Sequence, residues 1–280
     1  MSSSMPSLPD VFLGATKGAR SAVILCHGLG DTSDGWSETV SAALAPYLPD
    51  TLFILPTAPT QPVTINGGAP CPSWYDIESL STSRSLEKCA GLDESVARLT
   101  ALVRTQVAAG IPESRIGLVG FSQGGALSLF TALTWAGPPL AGAFVLSGYL
   151  PRAAAVKPTP AVAGGTLVRL YHGDEDRVVP LVAAHDAEAR ATALGLHSVR
   201  LSVYPGMAHS ANAQELRELV KDLKGALSPA PPPPTEEQLA AMPAKELKAW
   251  LVAANAGSAR IAACIEKADL LALALEVLKK

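Results

Sequence analysis

The chain has 280 residues, 48% hydrophobic and 17% charged, with a formal net charge of −3. That is enough apolar material for a full α/β core plus a smaller unit, and the mild negative charge argues against an electrostatic polyanion binder. The four cysteines, Cys26, Cys71, Cys89 and Cys264, include no C-x-x-C pair and are too sparse for a disulfide framework, so reduced thiols and a cytoplasmic location are expected.

The N-terminus, Met1-Ser2-Ser3-Ser4-Met5-Pro6, lacks the basic and apolar regions of a signal peptide. No apolar run reaches the roughly 18 residues of a membrane span. Short apolar runs then alternate with helical patterns. Strands are predicted near Ser21–Cys26, Thr51–Leu55, Arg115–Val119, Ala141–Leu146, Thr166–His172 and Ser198–Tyr204. Helices are predicted near Trp36–Tyr47, Leu92–Ala109, Gln123–Trp135, Leu181–Leu194 and Ala211–Leu227. In the second of these helices Leu92, Val96, Leu99, Leu102, Val103 and Val107 recur at helical spacing. Alternation of this kind implies an α/β fold: a mostly parallel sheet covered by helices on both faces, with its ligand site beyond the C-terminal strand ends.

Composition changes at Ser228-Pro229-Ala230-Pro231-Pro232-Pro233-Pro234. Such a run favours extended polyproline II and would span roughly 20 Å as a spacer. Thr235-Glu236-Glu237-Gln238 matches a helix capping box. Helical patterns follow around Ala244–Ala254 and Cys264–Lys279, with apolar stripes Leu247, Trp250, Leu251, Ala254 and Ala268, Leu271, Leu275, Leu278. The expected organisation is a domain over residues 1–227, a proline-rich linker at 228–234 and a small all-α module at 235–280.

Gly120-Phe121-Ser122-Gln123-Gly124-Gly125 lies between a predicted strand and a predicted helix. A bare Gly-x-Ser-x-Gly also makes ordinary turns, but strand–motif–helix is the context of a nucleophile elbow, which lifts a serine hydroxyl above the sheet at a helix N-terminus. A serine needs a base, and the base needs a carboxylate to fix its tautomer. Downstream, in the order Ser, acid, His, stand His172-Gly173-Asp174-Glu175-Asp176-Arg177 and Tyr204-Pro205-Gly206-Met207-Ala208-His209, each after a predicted strand. His209 is the one histidine of five in a loop after the last strand. His185 and His197 suit surface or packing roles and His172 a structural strand end. Spacing leaves Asp174, Glu175 and Asp176 all open as the acid. An oxyanion hole needs the N–H after the nucleophile, that of Gln123, and another from the loop after the first core strand, Cys26-His27-Gly28-Leu29-Gly30-Asp31. Neither a phosphate-loop nor a dinucleotide-binding pattern is present; no cofactor and no metal are expected.

On these segments, together with Pro72-Ser73-Trp74-Tyr75-Asp76 and Gly110-Ile111-Pro112, the chain resembles the acyl-protein thioesterase and lysophospholipase family of α/β-hydrolases. The resemblance extends over most of residues 8–227. It implies a triad of Ser122, Asp176 and His209, choosing Asp176 among the three acids, with Leu29 and Gln123 as backbone oxyanion donors. It also implies an acyl-chain groove lined by the segment Pro62–Leu80, with Val63, Ile65 and Trp74 against the substrate, whereas Trp74 read without the resemblance is a core or loop-packing aromatic. S-acylated proteins or lysophospholipids are the implied substrates, with transient contact at a membrane surface. Some members carry an acylated N-terminal cysteine; here Ser2, Ser3 and Ser4 stand in that region. Residues 235–280 weakly resemble SAP-like helical modules. Their six Lys/Arg against six Asp/Glu lack the basic footprint of a DNA binder, so a protein partner is expected and nucleic acid is not. The rival readings are a short-chain carboxylesterase and a scaffold protein built on a degenerate hydrolase domain.

Overall fold

The computed structural model describes residues 9–79, 87–228, 234–254 and 256–278. Ser2–Ser4, Leu80 at the end of the expected groove segment, most of the proline run and Lys279 lie outside the described residues. The chain divides into two compact units, Met1–Ser228 and Pro229–Lys280.

The first unit begins with strands β1 (Val11–Gly14) and β2 (Ser21–Cys26), then helix α1 (Asp34–Thr39). The single helix expected over Trp36–Tyr47 is broken. After Thr39 the chain makes one wide π turn at Val40–Leu44, with Ala45 N–H donating back to Val40 O, and tightens into a 3₁₀ turn at Ala45–Tyr47. Pro46 has no N–H with which to extend an α-helix. Strand β3 (Thr51–Leu55) follows, then a hairpin of β4 (Thr60–Pro62) and β5 (Pro70–Pro72). Prolines in both arms hid this hairpin from the sequence pattern. The rest of the unit comprises α2 (Leu92–Ala108), β6 (Ile116–Phe121), α3 (Gln123–Thr134), β7 (Gly142–Leu146), α4 (Pro160–Gly165), β8 (Leu167–Gly173), α5 (Leu181–Ala193), β9 (Val199–Tyr204) and α6 (Ala213–Leu227).

Seven strands form one sheet in the order β1-β3-β2-β6-β7-β8-β9. β1 runs antiparallel to β3, and the other pairs are parallel. Successive side chains of a strand face opposite sides, which divides the core in two. Ala22, Ile24, Leu118, Val145 and Leu170 pack with α2, α3 and α5 on one face. Val23, Leu25, Phe144 and Tyr171 pack with Trp36 of α1 and with Leu219 and Leu223 of α6 on the other. β2 sends the chain to β3 on one side, and β6 then lies on its other side. The sheet order therefore reverses between β2 and β6, where a crevice for ligand forms at the C-terminal strand ends.

The second unit contains α7 (Glu236–Ala241), α8 (Ala244–Ala253), α9 (Ser258–Ala262) and α10 (Lys267–Leu278). A capping box starts α7: Gln238 N–H donates to Thr235 Oγ1 at 3.2 Å and Thr235 N–H to Gln238 Oε1 at 2.8 Å. Leu239, Leu247, Leu251, Ile261, Leu270, Leu273 and Ala274 form its core. The stripe expected on α10 is corrected here. Ala268 is exposed and Leu271, Leu275 and Leu278 only half-buried, while Leu270, Leu273 and Ala274 face inward. This helix is apolar on two adjacent faces, and packing against α8 selects between them.

In the first turn of α6, Glu215 is fully buried, and its carboxyl oxygens make no hydrogen bond of normal geometry among the described residues, the Asn212 N–H being the one donor near enough to act on them. Burial pushes its carboxyl up to about 8, from an ordinary value of 4.5. The folded protein thus keeps a proton that the unfolded chain releases between these values, so stability is fullest below the lower one and declines as pH rises through the higher. The variant Glu215→Gln is expected to raise the urea midpoint at about pH 8 and to leave it nearly unchanged near pH 4. Equal shifts at both pH values would disprove the link to ionisation.

Candidate active site

The elbow forms where β6 turns directly into α3. Ser122 sits between them with φ 54° and ψ −119°, a conformation that side chains other than glycine rarely adopt. Its N–H donates to Leu146 O at 2.8 Å and its carbonyl accepts from Ala126 N–H at 2.9 Å. The glycines permit the crowding. A Cβ on Gly124 would collide with the carbonyl oxygens of Cys26 and His27, and one on Gly120 with Gly124 itself.

Two loops bring partners to the serine. His209, after β9, places Nε2 3.0 Å from Ser122 Oγ and Nδ1 2.7 Å from Asp176 Oδ2. Phe121 packs its ring 4.8 Å from the His209 ring. Asp176, after β8, has a fully enclosed side chain, and its Oδ1 accepts from Val178 N–H at 2.9 Å and Val179 N–H at 2.8 Å. Burial by itself would raise this carboxyl. The hydrogen bond from His209, the Val179 N–H, the His209 charge and the Val178 N–H together outweigh it and hold Asp176 below the ordinary carboxylate range. The other two candidate acids point away: Asp174 and Glu175 are exposed, and Asp174 Oδ1 accepts from Gly206 N–H at 2.7 Å. Gly173 allows the two loops to meet, since a Cβ there would strike the Met207 carbonyl.

The loop after β2 runs past the same serine. The position of a Cβ on Gly28 lies 3.6 Å from Ser122 Cβ, and Gly30 N–H ties the loop to Pro72 O at 2.8 Å. Leu29, between them, packs partly buried against the core. Gln123 is the first residue of α3, where N–H groups have no intrahelical acceptor. His27 anchors the loop from below. Its Nε2 accepts from Ala58 N–H at 3.0 Å, so Nδ1 carries the proton and donates to Gly28 O at 2.7 Å. Burial lowers its pKa, against the Gly28 bond and the Asp31 charge.

The side chains expected to meet substrate are placed differently from one another. Ile65 is partly exposed, whereas Val63 and Trp74 are completely buried. Trp74 lines no open surface at the serine; it is a packing hub. Its indole N–H donates to His27 O at 2.9 Å, its backbone N–H to Gln123 Oε1 at 3.0 Å, and its carbonyl accepts from Ser95 Oγ at 2.5 Å. The Gln123 side chain, which the sequence did not single out, also donates Nε2–H to Tyr75 O at 2.6 Å. A polar residue buried at the first position of the elbow helix was the available cue. Among the described residues no cluster of three or more His, Cys, Asp or Glu is arranged to hold a metal, and no helix is long and apolar enough to cross a membrane.

A family profile described as Phospholipase/Carboxylesterase matches residues 12–226. The chain belongs to the phospholipase/carboxylesterase family. Its relatives agree. Acyl-protein thioesterase 1 of Neurospora crassa is 38% identical over 221 residues, covering 76% of this chain and 89% of that protein. Acyl-protein thioesterase 1 of Mycosarcoma maydis is 39% identical, covering 71% and 88%. Among crystal structures, acyl-protein thioesterase 2 of Zea mays superposes with a TM-score of 0.68 at 28% identity, covering 79% of this chain and 99% of that one. SOBER1 of Arabidopsis thaliana gives 0.66 at 27% identity, covering 75% and 100%. The phospholipase/carboxylesterase match ends before the second unit, which is outside the family pattern.

Truncation Gln123→Ala leaves Trp74 N–H without this acceptor, at about 1–3 kcal/mol, while the Tyr75 carbonyl keeps the Ser73 hydroxyl. For a unit of this size the thermal midpoint is expected to fall by about 2–12 °C. An unchanged midpoint would show that the loop is held by other contacts.

Proposed function

We propose that this protein is a serine hydrolase that releases acyl groups from S-acylated proteins or lysophospholipids. The observation that carries the reading is the continuous hydrogen-bonded line Ser122–His209–Asp176, on a chain whose relatives bear the name acyl-protein thioesterase. Ser122 Oγ attacks the acyl carbonyl carbon while His209 Nε2 takes its proton. Asp176 keeps the tautomer that leaves Nε2 free and stabilises the imidazolium that forms. The backbone N–H groups of Leu29 and Gln123 receive the developing oxyanion, a contribution worth roughly 10²–10³ in rate per donor. Collapse of the tetrahedral adduct breaks the acyl–sulfur or acyl–oxygen bond, and the leaving group departs with the proton held on His209. Water then gives its proton to His209 and adds to the acyl-serine; collapse of that adduct releases the carboxylic acid and restores Ser122.

The setting we propose is cytoplasmic, which fits four cysteines that form no disulfide among the described residues, with brief contact at membrane surfaces where acylated substrates lie. Residues 235–280 serve in this reading as an accessory module for a protein partner. Deleting 229–280 is expected to leave turnover of a small ester within about twofold, and loss of turnover in a folded protein would refute an accessory role.

The variant Ser122→Ala is expected to abolish labelling by a fluorophosphonate probe; persistent labelling would move the nucleophile elsewhere. The complete burial of Val63 and Trp74 favours a second reading, a carboxylesterase for short acyl groups. Rates on p-nitrophenyl esters of increasing chain length separate the two. A long-chain hydrolase prefers octanoyl and longer esters over acetyl, and the opposite order would establish the short-chain reading.

A further inference from the structure

The acid loop, residues 174–180, is exposed over much of its length: Asp174, Glu175, Arg177 and Val178 all face solvent. Yet it must hold a carboxylate fixed to within fractions of an ångström of His209. Beneath it lies His172, near the end of β8, in register with Val203 of β9 and only 1% exposed.

His172 Nε2 stands 2.7 Å from Val179 O. A carbonyl only accepts, so the imidazole proton is on Nε2 and the ring donates. Val179 is thereby tied at both ends, since its own N–H donates to Asp176 Oδ1. With Val178 N–H also on Oδ1, that oxygen is saturated by backbone donors, and Oδ2 is turned to His209. The same His172 Nε2 lies 3.4 Å from Oδ2, so the donor edge of the ring sits beside the carboxylate although its N–H is spent on Val179 O. An apolar side chain in this place would leave the Val179 carbonyl without its buried donor, a costly arrangement.

We propose that His172 is a positioning residue for the reaction: through Val179 it sets the orientation in which Asp176 presents Oδ2 to His209. The inference rests on the triad reading above. The groups facing His172 pull its pKa in both directions. Burial is the largest influence and lowers its pKa, the Val179 bond and Asp176 oppose this, and His209 and His185 add to the lowering. A cationic His172 would compete with His209 for the single negative charge of Asp176; a neutral one supports the carboxylate without neutralising it.

The test compares two polar variants in the full-length protein. In His172→Gln the amide nitrogen reaches about as far as imidazole Nε2, whereas in His172→Asn it falls one bond short. The glutamine variant is expected to keep kcat on a p-nitrophenyl ester within about threefold, and the asparagine variant to lose about 10–100-fold with KM nearly unchanged. The rate of fluorophosphonate labelling should fall in parallel with kcat. Both are assayed well below the lower of their thermal midpoints. Equal kcat in the two variants, whether both intact or both reduced, would overturn the proposal. If His172→Asn does not fold, His172→Met, with the length of glutamine and no donor, takes its place under the same criterion. Failure of the triad reading is a separate outcome, seen as persistent probe labelling of Ser122→Ala.

Discussion

The first turn of α3 lies directly against the end of β2, so closely that the Cys26 and His27 carbonyls leave no room for a side chain on Gly124. β6 can reach that helix only by passing through the strained backbone of Ser122, and the strain is held because Leu146 and Ala126 bind Ser122 from both sides. The same approach sets the loop after β2 beside the serine and puts Gln123 at a helix start, with its side chain reaching the Trp74 segment. One close contact at the reversal point of the sheet therefore assembles three parts of the site.

Around this framework, charge is kept scarce. Asp176 is an enclosed carboxylate with backbone N–H groups on one oxygen and His209 on the other. His27 and His172 are buried imidazoles whose pKa values desolvation lowers, each oriented by a main-chain group. Dipoles, rather than opposing ions, organise the loops. In the proposed mechanism that leaves the charge of Asp176 undivided when His209 takes up a proton.

How much of this was legible in the sequence depended on whether the information was local. Six of the seven strands of the main sheet stand out as short apolar runs, and the elbow as two glycines flanking a serine between strand and helix. The order Ser, acid, His follows from the same pattern. Asp174, Glu175 and Asp176 could not be separated by spacing, because the choice depends on which side chain the turn directs inward and on the Val178 and Val179 N–H groups that receive it. β1 has only four residues, and prolines in β4 and β5 masked their pairing. Trp74 read alone as a packing aromatic, but its hydrogen-bond partners, like the inward face of α10, were out of reach. Both are decided by what packs against them: a histidine carbonyl in the first case, a neighbouring helix in the second.

An open sheet has two free borders, and each strand there offers unpaired main-chain groups to any passing chain. Here the border at β1 is only four residues long. The border at β9 carries Arg200, drawn to Glu218 and Asp222 of α6, and Ser202, whose hydroxyl donates to Glu218. A strand docking beside β9 would have to accommodate this cluster of charged side chains at the edge. The exposed Arg200 and its carboxylate partners thereby make this border a poorer template for strand addition than an uncharged edge would be.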